Sequence, residues 1–268
     1  MKMQRLNNKY RELTAKYRRL PDFIIIGTQK GGTSSLFSYL RQHSQLKLSG
    51  VKEIHFFDSN YLKGTNWYKS HFPLKWVNFN KKTGEASPYY LFHPHVAKRV
   101  YDQCPKAKLI VMLRNPADRA YSHYMMQNKR KLDPLPTFEE SIKAEDVRLI
   151  EETQKLLNNP GYKSFNHQKF SYLARGKYYS QIKKWLEYYP IEQFLFIKSE
   201  DFFCNPLKQL LKVQEFLEIR PEMPIDLSPM NTNNYIPISS TTKTFLNSYY
   251  ADENRKLSEL LGPDFSWD

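Results

Sequence analysis

The chain has 268 residues, 41 Lys+Arg against 27 Asp+Glu and a net charge of +14, which suits one large α/β domain with a substantial core and favours polyanionic ligands, acidic acceptors, nucleic acid or an anionic membrane. Two cysteines, Cys104 and Cys204, are too few for a secreted disulfide framework, and no His/Cys cluster has zinc spacing. No apolar run approaches the ~20 residues of a membrane helix and the N-terminus lacks a signal-peptide pattern, so a soluble protein of the reducing cytoplasm is expected.

In residues 1–20, Leu6, Tyr10, Leu13, Tyr17 and Leu20 recur at spacings of four and three amid Lys2, Arg5, Lys9, Arg11, Lys16, Arg18 and Arg19. This pattern predicts a basic amphipathic helix, packed on the main body or facing a membrane surface or partner, and ended by Pro21. The domain proper is expected over 21–268. Phe23 to Ile26 form a short buried strand that runs into Gly27-Thr-Gln-Lys-Gly-Gly-Thr-Ser34, and Leu36, Phe37 and Leu40 open an amphipathic helix extending to about His43. Glycines at 27, 31 and 32 let backbone N–H groups converge on an anion at a helix N-terminus. Compared with the Walker pattern G-x-x-x-x-G-K-[ST], Gly27 and Gly32 are kept, Thr33 stands where the lysine belongs, and Lys30 lies inside the loop.

Leu46 to Ser49 suggest a short strand leading into Lys52-Glu-Ile-His-Phe-Phe-Asp58. On an extended segment Glu53 and His55 project from one face. From spacing alone they fit a solvated strand edge as well as an acid–base pair. Residues 59–82 form an irregular cover; Gly84-Glu-Ala starts as a strand broken by Pro88, and a helix follows over His95 to Gln103. Lys108 to Leu113 is a second buried strand and ends in Arg114, where a Walker B strand would end in a Mg²⁺-binding Asp. The strand's C-terminal end should bring Arg114 beside the glycine loop, and the ligand's charge is then met by protein cations without a metal.

Asp118 is placed at the start of a helix carrying Ser122, eight residues after Arg114. Phe138 to Leu157 reads as one helix with Phe138, Ile142, Val147, Leu149 and Ile150 apolar; residues 128–136 and 158–170 are loops suited to an acceptor's lips, or merely solvated. A helix over Gly176 to Tyr189 points Tyr178, Ile182, Trp185 and Leu186 inward. Phe194 to Ile197 is a third strand, followed by a helix capped at Asn205-Pro206, an irregular crossing from Arg220 to Ser240, and a last helix from Thr242 to Leu261.

Taken together, the loop at 26–33, Lys52-Glu-Ile-His-Phe-Phe-Asp58, Gly84-Glu-Ala-Ser-Pro88 and Leu113-Arg-Asn-Pro-Ala-Asp-Arg-Ala-Tyr-Ser122 resemble the sulfotransferases that use 3′-phosphoadenosine 5′-phosphosulfate (PAPS). The pattern is closest to heparan sulfate 3-O- and N-sulfotransferase domains and their bacterial relatives, and it covers Pro21 to Trp267. The resemblance implies a single α/β domain, a central parallel sheet flanked by helices with a P-loop-like nucleotide site. It implies PAPS as donor, adenosine 3′,5′-bisphosphate (PAP) as product, no metal, and a carbohydrate, lipid or small-metabolite acceptor sulfated on a hydroxyl or an amine. Lys30, Gly31, Gly32, Thr33 and Ser34 would surround the 5′-phosphosulfate, and Arg114 and Ser122 the 3′-phosphate. Glu53 would be the general base, Lys30 would stabilise the leaving phosphate, and His55 and Asp58 would orient the acceptor side.

Two departures stand out. Relatives acting on heparan sulfate often carry lysine where this chain has Ala86, and a Lys-Gly-Arg element where it has Thr232-Asn-Asn234. Either Lys243 or a basic residue of 128–131 covers the nucleotide, or its 3′-end is held more loosely. Two rival functions have different requirements. A P-loop kinase or other phosphotransferase would need lysine at 33 and an acid at 114; a basic nucleic-acid-binding protein would need a continuous cationic face, whereas the basic residues here are scattered.

Overall fold

The computed structural model describes residues 9–77, 79–230 and 236–267. Four strands, β1 (Phe23–Gly27), β2 (Gly84–Ala86), β3 (Lys108–Leu113) and β4 (Phe194–Lys198), pair in the order β2-β1-β3-β4, all parallel. Their β-branched and aromatic side chains alternate between two faces, and both faces are buried, as an all-parallel sheet requires. On one, Ile24, Ile26, Leu109, Val111 and Leu113 pack with Val96, Val100, Tyr178, Ile182 and Trp185. On the other, Phe23, Ile25, Ile110 and Met112 meet Leu36, Phe37, Leu40, Leu210 and Val213. A third cluster joins Ala117, Ala120 and Tyr124 to Phe138, Tyr172, Leu246 and Tyr250 away from the sheet. This is a single α/β domain with a central parallel sheet flanked by helices.

The chain runs from β1 outward to β2 and then crosses back to β3 on the opposite side of β1. The direction of winding therefore reverses between β1 and β3, and a crevice opens at the carboxyl ends of those strands. Gly27 pairs in register with Val111 there. The loop after β1 and the loop after β3 flank that crevice.

Several local expectations are corrected. The described part of the N-terminal segment is helical only over 9–13, with a 3-10 turn at Ala15–Tyr17; Arg18 then bridges antiparallel to Leu74. Its buried guanidinium donates to Phe72 O at 2.7 Å, which draws the chain out of a helix before Leu20. Leu6 lies outside the described residues, as does Thr232-Asn-Asn234. The helix after the glycine loop ends at Leu40 rather than His43. Leu46 to Ser49 form a single bridge, Leu46 to Lys82, instead of a strand. The helix with Ser122 starts at Pro116; Asn115, not Asp118, is its cap, accepting from the N–H groups of Ala117 and Asp118. The expected helix from Phe138 to Leu157 is two, Phe138–Lys143 and Glu145–Asn158, and Val147 and Ile150 are exposed. Part of the expected loop at 158–170 is a helix, Phe165–Lys169, capped by Ser164.

Candidate active site

The glycine loop is pinned to the sheet on two sides. Thr28 N–H donates to Met112 O (2.9 Å), Gly31 N–H to Thr28 O (3.0 Å), and the Ser199 hydroxyl to Gly31 O (2.7 Å). These bonds leave no room for side chains. A Cβ on Gly31 would lie 2.7 Å from Met112 O, and Gly32, at φ +93°, would carry one 2.9 Å from the Phe203 ring. The loop then enters the helix Thr33–Leu40, whose first N–H groups lack intrahelical partners and face an anion favourably.

Lys30 is half-buried and itself adopts a left-handed backbone, φ 73°. Burial, and then the charges of Arg114, Arg130, Arg119 and Lys52, push its ammonium down to about 8. An arginine Nη1 of Arg114 reaches Lys30 O at 3.3 Å, so the end of β3 does meet the loop. Gly31 and Thr33 are buried and Ser34 is partly exposed. Ser122 is buried two turns into the helix Pro116–Lys129. The crowding of like charge around Lys30 is unfavourable in itself; a bound polyanion would relieve it.

Glu53 and His55 come together, though not as residues of a strand. Both have left-handed backbones, φ 61° and 53°, and a short helix, Phe56–Ser59, follows. Glu53 N–H donates to Ala86 O at the edge of β2 (2.8 Å). His55 Nε2 lies 3.5 Å from Glu53 Oε2, and its Nδ1 lies 2.6 Å from Oδ2 of Asp58, whose side chain is fully buried. Partial burial would raise the Glu53 carboxyl, but the His55 hydrogen bond and the Lys52 charge outweigh it and hold the group down at about 2. Burial likewise opposes charge on His55, yet the hydrogen bonds it donates to Asp58 and Glu53 raise it to about 9. At neutral pH an ionised Glu53 therefore lies beside a His55 imidazolium, with Asp58 on the other ring nitrogen. Lys52 Nζ, 2.6 Å from Glu53 Oε1, adds a second cation at the surface.

Beyond His55 and Asp58 opens a cavity of about 350 Å³, lined across from them by Tyr162, Lys163, Phe165 and Gln168. The expected lip at 158–170 thus shares this cavity with His55 and Asp58. The run at 128–136 does not line this cavity, and Asp133 there is buried against Arg148 (3.0 Å). Sequence reasoning also missed Arg175. It is fully buried under the Tyr89 and Phe92 rings, bonded to Gln29 of the loop and to the carbonyls of His167 (3.2 Å) and Gln168 (2.6 Å). A lone arginine in a polar stretch carries no signal of this role.

The sulfotransferase domain model matches residues 20–245. The chain belongs to the sulfotransferase family. It is 30% identical to the membrane-associated sulfotransferase kil1 of Dictyostelium discoideum, over 92% of this chain and 66% of that protein. It is 30% identical to the human bifunctional heparan sulfate N-deacetylase/N-sulfotransferase 3, over 95% of this chain but 32% of that protein. A crystal structure of a sulfotransferase from Alicyclobacillus acidocaldarius superposes with a TM-score of 0.71 at 30% identity, covering 91% of this chain and 96% of that one. The sulfotransferase therefore spans most of its bacterial neighbour but only part of kil1 and a third of the bifunctional enzyme.

Proposed function

We propose that this sulfotransferase takes its sulfuryl group from PAPS and transfers it to a hydroxyl of a carbohydrate, lipid or small-metabolite acceptor, with an amine as the second choice of nucleophile. The observation that carries this reading is the pairing of a glycine loop crowded with cations, Lys30 at its centre, with an ionised Glu53 tied through His55 to buried Asp58. The fit to an anionic donor rests on the loop's geometry: Gly31 and Gly32 let the backbone pack against Met112 and Phe203 where a Cβ would collide, and the charges of Arg114, Arg130, Arg119 and Lys52 bear on Lys30. A kinase-like reading finds Thr33 and Arg114 where it needs Lys and Asp.

When bound, the donor supplies an activated sulfuryl group on a bridging phosphate oxygen. Lys30 and the N–H groups of the loop would hold that phosphate and take up the charge that develops on its oxygen, with Thr33 and Ser34 beside them. Arg114 and Ser122 would hold the 3′-phosphate, and Arg130, whose charge already bears on Lys30, is the residue of 128–131 best suited to supplement them. Glu53 takes the acceptor's proton. Its basicity in the free site is low, and the contact that lowers it most cheaply is the surface pair with Lys52, worth under about 1 kcal/mol. An acceptor hydroxyl entering beside Glu53 would compete with Lys52 for the carboxylate, while the hydrogen bond from His55, the contact that holds Glu53 down most, stays in place. His55, anchored by Asp58, keeps the carboxylate aimed.

The cavity has aromatic walls from Tyr89, Tyr162 and Phe165, polar groups from Asn60 and Gln168, and two cations, Lys163 and the His55 imidazolium, the latter held by Asp58. Stacking faces with hydrogen-bonding groups suit a polyhydroxylated acceptor of low charge better than a highly sulfated chain, in keeping with Ala86 in place of a lysine. Cytoplasmic residence is part of the proposal and is supported by two free cysteines, Cys104 buried and Cys204 exposed. No helix among the described residues is long and apolar enough to cross a membrane. A screen of neutral and sulfated glycans, sterols and phenols with radiolabelled PAPS, followed by locating the sulfated atom, tests the reading. Label transferred to a hydroxyl compound supports it; label retained only by amines or only by polysulfated chains overturns the acceptor assignment.

A further inference from the structure

Glu85 is entirely buried at the sheet edge, in register with Ile24 on β1, and no ion pair reaches it among the described residues. A carboxyl in such a place costs free energy unless its oxygens are satisfied. Here three hydroxyls satisfy them. Tyr68 donates to Oε1 at 2.6 Å, Tyr90 to the same oxygen at 3.2 Å, and Ser87 to Oε2 at 2.8 Å. Burial pushes the carboxyl up to about 7, with these bonds opposing it.

The consequence lies one bond further out. A hydroxyl has one proton, so once Ser87 and Tyr90 commit theirs to Glu85, their lone pairs are left to accept. Those lone pairs meet the backbone of the acid–base segment: His55 N–H donates to Ser87 Oγ at 3.4 Å, and the N–H groups of Phe56 and Phe57 donate to Tyr90 Oη at 2.9 and 3.3 Å. The next residue of β2, Ala86, accepts from Glu53 N–H. The stretch so held contains Glu53 and His55, both non-glycine residues in the left-handed region, a conformation that persists only where surroundings impose it.

We propose that Glu85 is a positioning residue for transfer: by fixing the hydroxyl directions of Ser87 and Tyr90 it holds the 53–57 backbone in the turn that brings His55 between Glu53 and Asp58. This rests on the reading of Glu53 as the base. Glu85 touches neither the glycine loop nor the acceptor cavity, so its loss should disturb the acid–base centre and spare nucleotide binding.

The test does not need an identified acceptor. Protein labelled with ¹⁵N-histidine, with the His55 signal assigned by His55→Asn, is titrated by NMR as wild type, Glu85→Gln and Tyr90→Phe, and PAP affinity is measured on each. Tyr90→Phe keeps the ring in the core and removes only the hydroxyl, so it remains informative if Glu85→Gln folds poorly. The expected result is that the His55 midpoint falls by about one pH unit or more toward the ordinary ~6.5 in both variants, with the PAP dissociation constant within about twofold of wild type. A His55 midpoint unchanged in variants that bind PAP normally overturns the proposal, and so does a shift accompanied by loss of PAP binding, which marks general damage. Failure of wild type itself to bind PAP instead counts against the donor reading above, and is seen without any variant.

Discussion

At the scale of single residues the proposed transfer divides its work between Lys30 and Glu53, and each makes a distinct prediction. Glu53→Gln keeps the shape and removes the proton acceptor; transfer should fall by about 10²–10⁴-fold, with PAP affinity unchanged by calorimetry. Lys30→Ala should weaken PAP binding by about tenfold or more, the cost of a charge-assisted contact of ~1.5–3 kcal/mol. Because burial, and then neighbouring cations, hold Lys30 at about 8, and an anion favours its protonated form, PAP affinity of the wild type should decline as pH rises through that value. Lys30→Ala should flatten this dependence. His55 gives a stability prediction of definite sign. Its pKa is raised in the fold, to about 9, so its contribution is fully present below the unfolded value of ~6.5 and disappears as pH rises through about 9. In denaturant melts, His55→Asn should lose most relative to wild type near pH 6 and least above pH 9.

The elements differ in how far the sequence foretold them. The three longer strands were legible because apolar β-branched runs bounded by turn residues have few other uses, and the glycine loop because strand, glycines, lysine and helix occur in one order. The short strand Gly84–Ala86 was legible only as a start, since its hydrogen bonding depends on where β1 lies. The segment carrying Glu53 and His55 was read in the wrong conformation. Period-two spacing suggested a strand face, whereas the turn is imposed by hydroxyls and a carbonyl from residues 86–90, which no local pattern reports. The split at Ala144 was hidden for a similar reason: Glu145 leaves the apolar pattern to accept from the N–H groups of Leu173 (2.6 Å) and Ala174 (2.8 Å), far along the chain. The loop makes its own prediction. Gly32→Ala must adopt a left-handed backbone, costing about 1–2 kcal/mol, and press on Phe203; PAP binding should drop while the sheet's far-UV signal persists. Asn115→Ala, which removes the cap of the helix bearing Ser122, should cost ~0.5–2 kcal/mol in a denaturant melt.

For the whole molecule, the net charge of +14 and the crevice between β1 and β3 suit the proposed anionic nucleotide at the carboxyl ends of a parallel sheet. Long-range attraction of this kind is screened by salt, and PAP affinity should fall steadily as ionic strength rises. The chain belongs to the sulfotransferase family; the donor is the claim on which the proposed chemistry depends. Calorimetry of the wild-type protein with PAP in EDTA, with ATP plus Mg²⁺ as comparison, tests it most directly. Saturable binding of PAP without metal, lost in Lys30→Ala and Arg114→Ala, is the predicted result; absence of PAP binding, or binding of ATP only with Mg²⁺, would contradict it.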